Sequence, residues 1–308
     1  MRLLITGANG MIGQALERFL STRGHEVCCL VRRPRPKGPA SSPPSQDYVW
    51  DPDKGHIDRA ALENLDGIIH LAGANIAQGR WTAHRKQILR SSRVATTQLL
   101  VDVLRRQSKQ PSFFIGASAV GIYGDRASEE IFEDQEADDD FLGRLGQDWE
   151  AASAPLAECG MRVVHLRLGM VLAGEGGALK SMLPAFRFGM GAILGHGDQY
   201  VSWISMTDLL GCVDHIMHKA DLEGPFNLTA PNPVTFKTFA KTLGKVLKRP
   251  VLLRLPTFAV RLLFGEMGQS VLMSSCRALP GKLLASGFDF QQPDLESALK
   301  ACIHHRSR

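Results

Sequence analysis

The chain has 308 residues, 44% hydrophobic and 22% charged, with 36 Lys and Arg against 31 Asp and Glu and a formal net charge of +5. This length suits one large α/β domain, or one with a smaller lobe, and so mild a charge calls for neither a nucleic-acid partner nor a membrane surface. The six Cys, at 28, 29, 159, 212, 276 and 302, show no CxxC and no metal-ligand spacing, which reads as reduced thiols in a cytoplasmic protein without a metal site.

Arg2-Leu3-Leu4-Ile5-Thr6 is a short apolar run that predicts a buried parallel strand and is too short for a signal peptide; no uncharged apolar stretch anywhere is long enough to span a bilayer. The run leads into Gly7-Ala8-Asn9-Gly10-Met11-Ile12-Gly13, a GxxGxxG pattern. Ile12, Leu16, Phe19 and Leu20 then share one helix face, Gly24 stands where a helix-terminating glycine belongs, and Val27 to Val31 is a second apolar run. Strand, glycine turn, helix and strand within about thirty residues make a βαβ unit. Gly7 permits the tight turn, Gly10 lets the backbone approach a pyrophosphate, and Gly13 lets the helix pack close to the sheet. The free N–H groups at the helix start then face phosphates, so Thr6, Gly7, Asn9, Gly10, Met11 and Ile12 are the expected contacts of a dinucleotide.

The end of the second strand selects the dinucleotide. An NAD site wants an acidic residue about twenty positions past the glycines, to hold the ribose hydroxyls. From Val27 to Gln46 there is none; Arg32, Arg33, Arg35 and Lys37 follow the strand instead. Guanidinium groups suit a 2′-phosphate, so the expected cofactor is NADP(H), with Arg32 and Arg33 as its ligands and Arg35 and Lys37 as a solvated basic loop.

Pro34 to Gln46 is a proline-rich loop, and Tyr48-Val49-Trp50 a third strand. Leu65 to Gly73 is a fourth, ending in small residues that leave room for the cofactor, so Gly73 joins its contacts. His70, mid-strand among apolar neighbours, reads as a satisfied core histidine. Trp81 to Gln107 predicts one long helix. Phe113 to Ser118 is a fifth strand, followed by Ala119-Val120-Gly121-Ile122-Tyr123-Gly124-Asp125. From Asp125 to Asp140 there are nine acidic residues and one Arg, which predicts a solvated surface loop. Phe141 to Glu158 is partly helical, and Arg162 to Arg167 is a sixth strand. The alternation predicts an α/β fold, a Rossmann-type doubly wound parallel sheet. After Leu172 the rhythm changes. Gly174 to Gly197 is glycine-rich and carries Lys180, Arg187 and His196; Phe226 to Thr229 is a strand, Thr235 caps a helix to about Leu247, and Val251 to Leu255 is a short strand. Two helical stretches follow near Phe258–Met267 and Pro293–Cys302. The expected division is an NADP-binding domain over residues 1–172, with a return near 201–230, and a smaller α/β C-terminal substrate lobe over 173–200 and 231–308.

With these residues in hand, the chain resembles the extended short-chain dehydrogenase/reductase superfamily, and within it an atypical epimerase-like group of NAD-dependent sugar-nucleotide epimerase relatives. The likeness runs over nearly the whole chain. It rests on Thr6–Gly13, Ile68–Gly73, Arg80-Trp81-Thr82, Ser91-Ser92-Arg93 with Thr96 to Leu100, Ser118–Asp125, Trp149-Glu150, Arg167–Leu172 and Trp203 to Asp208. Leu279 to Leu283 and Gly287-Phe288 resemble that group's own C-terminal module. The resemblance implies that Leu71 and Ala72 flank the adenosine and pyrophosphate, that Arg93 reaches adenine or phosphate, and that Val171 lies near the nicotinamide.

Members of the superfamily move a proton with a Tyr that has a Lys four residues on. None of Tyr48, Tyr123 and Tyr200 has that Lys, and the resemblance puts Phe141 and Leu145 where the pair belongs. Ser118, matching the family's serine, and Tyr123 remain as candidate catalytic residues. Without a lysine, Tyr123 is expected to keep a pKa of about 10, which predicts a slow enzyme better at reducing a carbonyl than at oxidising an alcohol. Two functions stay open: an NADP(H)-dependent oxidoreductase or sugar-nucleotide epimerase-like protein acting on a carbonyl or hydroxyl of a small substrate, nucleotide-linked or not, and a non-catalytic NADP(H)-binding sensor or partner-binding module. The oligomeric state is open.

Overall fold

The computed structural model describes residues 1–35 and 45–304, the last by its backbone alone; most of the Pro34–Gln46 loop, including Lys37, lies outside the described residues. Eight strands form the main sheet: β1 (Arg2–Thr6), β2 (Glu26–Val31), β3 (Gln46–Asp51), β4 (His56–Ile57), β5 (Gly67–His70), β6 (Phe113–Ala119), β7 (Arg162–Leu168) and β8 (Gly224–Leu228). Their order across the sheet is β8-β7-β6-β5-β1-β2-β3-β4. All neighbours are parallel except the β3–β4 edge. The doubly wound parallel sheet expected from the sequence is thus present. Its strand order reverses between β1 and β5, and the crevice at such a switch point, at the carboxyl ends of the strands, is where open α/β sheets hold ligands.

The central strands read as unbroken apolar runs because helices cover both faces. Leu3, Ile5, Val27, Cys29 and Ile69 enter one core, and Leu4, Cys28, Leu30 and Ile68 the other. Alternation within each strand thus feeds two hydrophobic layers, the arrangement a buried parallel sheet requires. On the first face lie α1 (Met11–Thr22), through Leu16 and Leu20, and the helix Met206–His218, through Leu209, Cys212 and Ile216. Gly24, at φ +81°, ends α1 in the left-handed region.

The expected helix from Trp81 to Gln107 is two: α2 (Ala83–Ser91) and α3 (Val94–Leu104). The break has a cause outside the helix. Ser92 Oγ donates to the Leu89 carbonyl and accepts the Ala74 N–H at 3.0 Å, drawing the backbone out of its helical ladder. Arg93 is left at the joint, against Gly73 and Ala74 in the loop that follows β5.

The acidic stretch after β6 also departs from expectation. Glu130–Ile131 pairs with Arg277–Ala278, and Glu133 is only 5% exposed. The C-terminal segment docks on this loop and turns part of it inward. A third core, built from Leu179, Leu183, Trp203, Phe239, Leu243 and Leu299, serves the later part of the chain, which includes α4 (Gly177–Arg187) and α5 (Phe236–Leu247). Thr235 caps α5 as the sequence predicts, accepting the Thr238 N–H.

One contact makes the βαβ unit testable. A Cβ on Gly13 would stand 2.3 Å from the Gly7 carbonyl oxygen and 2.8 Å from Ala8 Cα, both backbone atoms that no rotamer change can move. Gly13→Ala is expected to lower stability by about 1–3 kcal/mol, the range of overpacked cores, read as a lower midpoint of urea unfolding. An unchanged midpoint would mean that α1 is not pressed against the turn.

Candidate functional site

The glycine turn lies at the carboxyl end of β1, and its geometry is set by close backbone approach. Gly7 has φ +71°, and a Cβ there would lie 2.7 Å from the Leu71 carbonyl carbon and oxygen. Gly10 is the N-cap of α1, with ordinary extended dihedrals and no side-chain cap on the first turn. Asn9 and Gly10 are exposed, Met11 and Ile12 half-buried. The first N–H groups of α1 therefore have no side-chain partner, and the positive end of the helix dipole opens on the crevice. A Cβ on Gly10 would meet only the Gly7 oxygen, at 3.1 Å, so the space beyond the turn is held open by glycine.

Thr6 belongs to the support of this turn and not to its open side, which corrects its expected cofactor contact. Its side chain is buried; Oγ1 accepts the N–H groups of Leu71 and Ala72 at 3.1 and 3.2 Å and bonds His70 Nδ1 at 2.8 Å. His70 Nε2 meets Thr97 Oγ1 at 3.1 Å, and burial pulls the imidazole pKa down to about 3. It is the satisfied, neutral core histidine the sequence predicts. Leu71 and Ala72 thus face the turn through backbone tied from below, and Gly73 beside them is exposed.

Arg93 stands next to Gly73: a Cβ on Gly73 would be 3.4 Å from the Arg93 guanidinium carbon. Its nitrogens donate to the Leu89 and Ala74 carbonyls, and the group lies 5.0 Å over the Trp149 ring. Among the described residues no carboxylate pairs with it. Burial, with a smaller push from Arg85, lowers its pKa to about 10, so it stays charged at neutral pH. A largely buried cation held by carbonyls and an aromatic face, beside Gly73 in the loop that follows β5, suits a phosphate.

The arginines after β2 divide in two. Arg32 and Arg33 are exposed, and Arg32 has only a 3.5 Å contact with Asp53, itself 77% exposed, a pairing of little strength. Arg35 is not the solvated residue expected. It clamps Glu17 of α1 and Asp47 of β3, with Ser45 Oγ on Glu17. Burial alone would raise the Asp47 pKa, but the bonds from Arg35 outweigh it and leave that carboxylate below its ordinary value. Val171 puts its side chain in the core on the α1 face, and Gly176, at the start of α4, packs against the Met11 side chain. The lobe after Leu172 therefore reaches back to the glycine turn.

At the carboxyl ends of β6 and β7 lies a network of charged and polar groups that the sequence reading named only in part. Ser118 Oγ donates to Glu150 Oε1 at 2.6 Å; Arg167 Nε and Nη2 hold the same carboxylate at 2.9 Å each. Burial pushes the Glu150 pKa up, yet the bonds and charge of Arg167, with His165 and Ser118, outweigh it, so the group is held ionised. Arg167 Nη1 donates to the Tyr123 hydroxyl at 2.8 Å, which in turn donates to Asn227 Oδ1 at 2.7 Å. Tyr123 is 0% exposed, and burial raises its pKa to about 12. Its proton is already engaged with Asn227, and its oxygen already accepts from Arg167. The expected acid role and ordinary pKa of Tyr123 do not fit this geometry; its hydroxyl bridges two strands. Ser118 is 2% exposed. Arg167 had a sequence signal: a charged residue inside a strand must find a partner when buried.

Phe141 and Leu145, on the helix Phe141–Ala151, join Trp81, Leu89, Met267 and Phe264 in an apolar cluster. Phe141 meets Trp81 edge-on at 5.1 Å between ring centroids. No proton-transferring pair stands there. His84 and His196 are both exposed.

The Glu150–Arg167 pair predicts an acid-side instability. The Glu150 pKa is lowered on folding, so its contribution is complete above its ordinary 4.5 and is lost as the pH falls through the lower folded value. Glu150→Gln leaves Arg167 buried without an anion and is expected to cost about 3–5 kcal/mol at pH 7 while flattening the stability curve on its acid side. Parallel curves for the two proteins below pH 5 would contradict the pairing.

A model of the NAD dependent epimerase/dehydratase family matches residues 3–228, and a domain of unknown function, DUF1731, matches residues 255–302. An epimerase family protein of Mycobacterium leprae is 39% identical over 295 residues, 96% of this chain and 93% of that protein. The human epimerase family protein SDR39U1 is 34% identical over 306 residues, 98% of this chain and all of its own. A crystal structure of the human protein with NADPH superposes with a TM-score of 0.88 at 33% identity, over 98% of this chain and 99% of that one. A nucleoside-diphosphate sugar epimerase from Corynebacterium glutamicum gives 0.77 at 32% identity, over 99% of this chain and 58% of the other. The chain belongs to the NAD dependent epimerase/dehydratase family and ends in that group's DUF1731 domain.

Proposed function

We propose that this protein binds NADP(H) at the Gly7–Gly13 turn and works as an NADP(H)-dependent oxidoreductase or epimerase-like protein on a hydroxyl or carbonyl of a small substrate. The observation that carries the reading is the uncapped start of α1 at the glycine turn, with Arg93, a cation without a carboxylate partner among the described residues, at Gly73 in the loop after β5. The NADPH-bound human relative supports the choice of cofactor. In this reading the N–H groups of Gly10, Met11 and Ile12 hold the pyrophosphate, with Asn9, Leu71, Ala72 and Gly73 around it and Arg93 neutralising its charge. Arg32 and Arg33 turn to the 2′-phosphate, exchanging a weak surface contact for charge-assisted bonds. When bound, the cofactor supplies or accepts hydride. Residues 1–172 with 201–230 form the cofactor side, including the backbone near Val171; 173–200 and 231–308 close over the substrate. The sugar-nucleotide chemistry in the name of the Corynebacterium relative makes a nucleotide-linked substrate the first to try. A cytoplasmic setting fits the six free thiols. Among the described residues no helix is long and apolar enough to cross a membrane.

Ser118 is the residue proposed to meet the substrate oxygen. Its proton is committed to Glu150, which leaves its lone pairs to accept from a donor. An alcohol O–H fits that arrangement better than a carbonyl oxygen, so the reading turns from carbonyl reduction toward alcohol oxidation. Glu150, held ionised by Arg167, is a weak base, and slow turnover follows. The second reading, a non-catalytic NADP(H) sensor, is favoured by the apolar Phe141–Leu145 cluster where an acid pair would stand.

Calorimetric titration is expected to give NADPH an affinity roughly tenfold or more above NADH, since one charge-assisted contact contributes about 1.5–3 kcal/mol. Arg32→Ala with Arg33→Ala should close that gap; equal affinities in the unmodified protein would sink the assignment. For turnover, NADP⁺ reduction with nucleotide-linked and simple alcohols is the assay. Ser118→Ala is expected to lower kcat/KM about a hundredfold, whereas Tyr123→Phe lowers mainly stability. Tight NADPH binding with no turnover of any alcohol or carbonyl would favour the sensor.

A further inference from the structure

At the amino edge of the sheet, opposite the glycine turn, three side chains from separate parts of the sequence converge. His25 leads into β2, and Asp214 and His218 lie one turn apart on the helix Met206–His218. Each offers one nitrogen or oxygen ligand atom, and all three atoms lie within 4.8 Å of one another. We propose that His25, Asp214 and His218 form a binding site for a zinc-class divalent cation.

Two buried atoms in this cluster point to a missing ligand. His25 Nδ1 and Asp214 Oδ1 are both shielded from solvent and have no hydrogen-bond partner. Buried polar atoms are almost always satisfied, and with the His25 proton on Nε2 this pair of orphans in one cluster calls for a group that accepts lone pairs from both. A cation does so. His218 is prepared in a different way. Its Nδ1 lies 2.8 Å from the Asp214 carbonyl oxygen, which can only accept, so the proton sits on Nδ1 and Nε2 keeps its lone pair. Backbone bonding of one ring nitrogen is the usual means by which a ligating histidine is fixed in its tautomer.

The donor set decides the class of ion. Two imidazoles and one carboxylate suit zinc and its neighbours, whereas magnesium and calcium prefer oxygen alone. Three protein ligands leave a fourth position for water. Tetrahedral zinc with bonds of 2.0–2.1 Å brings its ligand atoms to roughly 3.3 Å apart, so a cluster whose atoms lie within 4.8 Å of one another must tighten by up to about 1.5 Å. His218 is free to make that movement, with a side chain 55% exposed. Positive charge nearby limits affinity. Arg23 Nε lies 3.7 Å from Asp214 Oδ2, and the chain's amino group adds to the field at His25. The Arg23 contact is to Oδ2, and its guanidinium also stacks on Phe19, 3.7 Å from the ring centroid; Oδ1 has no hydrogen-bond partner and faces His218 Nδ1 at 3.6 Å. A cation here would pin the end of the helix Met206–His218 to the turn between α1 and β2, joining two elements that pack on one face of the sheet.

The test is isothermal titration of zinc chloride into the chelator-treated full-length protein, beside thermal unfolding with and without zinc. One saturable site with a Kd at or below about 10 μM and a raised midpoint is expected, with no response to magnesium. His218→Ala, at an exposed position that leaves the fold intact, should weaken zinc binding at least tenfold and abolish the midpoint shift; Asp214→Asn should do the same. Zinc binding of equal strength in the His218→Ala protein, or none at 100 μM zinc, would overturn the proposal.

Discussion

Everything at the carboxyl edge of the sheet depends on one point of contact, where β1, β5 and α1 meet without side chains between them. Gly7 comes so close to Leu71 that a Cβ would overlap its carbonyl, and Gly13 comes as close to Gly7. Thr6 ties the same place from below, bonding His70, Leu71 and Ala72 at once. These contacts aim α1 so that its uncapped first turn opens at the strand-order reversal between β1 and β5. The anion-binding character of the crevice is a consequence of packing: backbone N–H groups are exposed because the glycines allow the chain to turn so tightly.

Around that point the arginines sort by whether they have an anion of their own. Arg35 is committed to Glu17 and Asp47, and Arg167 to Glu150, so each is part of the frame. Arg93 is held by carbonyls and a ring, and Arg32 by a long surface contact. A largely buried cation without a counter-charge, as Arg93 is among the described residues, is costly unless something supplies one. The distinction separates arginines paired within the protein from those with no strong anionic partner among the described residues. It is drawn from partners and burial, since the residues are alike in sequence.

The βαβ unit was legible because its signals are local. The apolar run, the glycine spacing and the face of Ile12, Leu16 and Leu20 each lie within a few residues of one another. The exclusion of an acidic residue after β2 was equally local. What stayed hidden depended on contacts far apart in the chain. The Ser92 hydroxyl ends α2 by bonding Ala74, eighteen residues away, so periodicity alone ran α2 and α3 together. Glu133 is turned inward by bonds to the backbone of Asn227 and Lys282, which made an acidic loop look more solvated than it is. Tyr123 looked like an acid in search of a substrate. Its partners, Arg167 and Asn227, come from two later strands. The convergence of His25 on Asp214 likewise has no sequence signature, because its spacing of nearly two hundred residues is set by the fold.

The central claim is that the glycine turn is a cofactor site and not merely a tight connection. Gly10→Val separates the two. Gly10 has backbone dihedrals open to any residue, and its Cβ would press only on the Gly7 oxygen at 3.1 Å, so the fold should survive with a modest loss of stability. The branched side chain would fill the space where a pyrophosphate must approach α1. NADPH affinity, measured on this variant beside its thermal unfolding, is predicted to fall at least a hundredfold while the unfolding transition stays cooperative. A folded Gly10→Val protein that binds NADPH as tightly as the original would contradict the assignment.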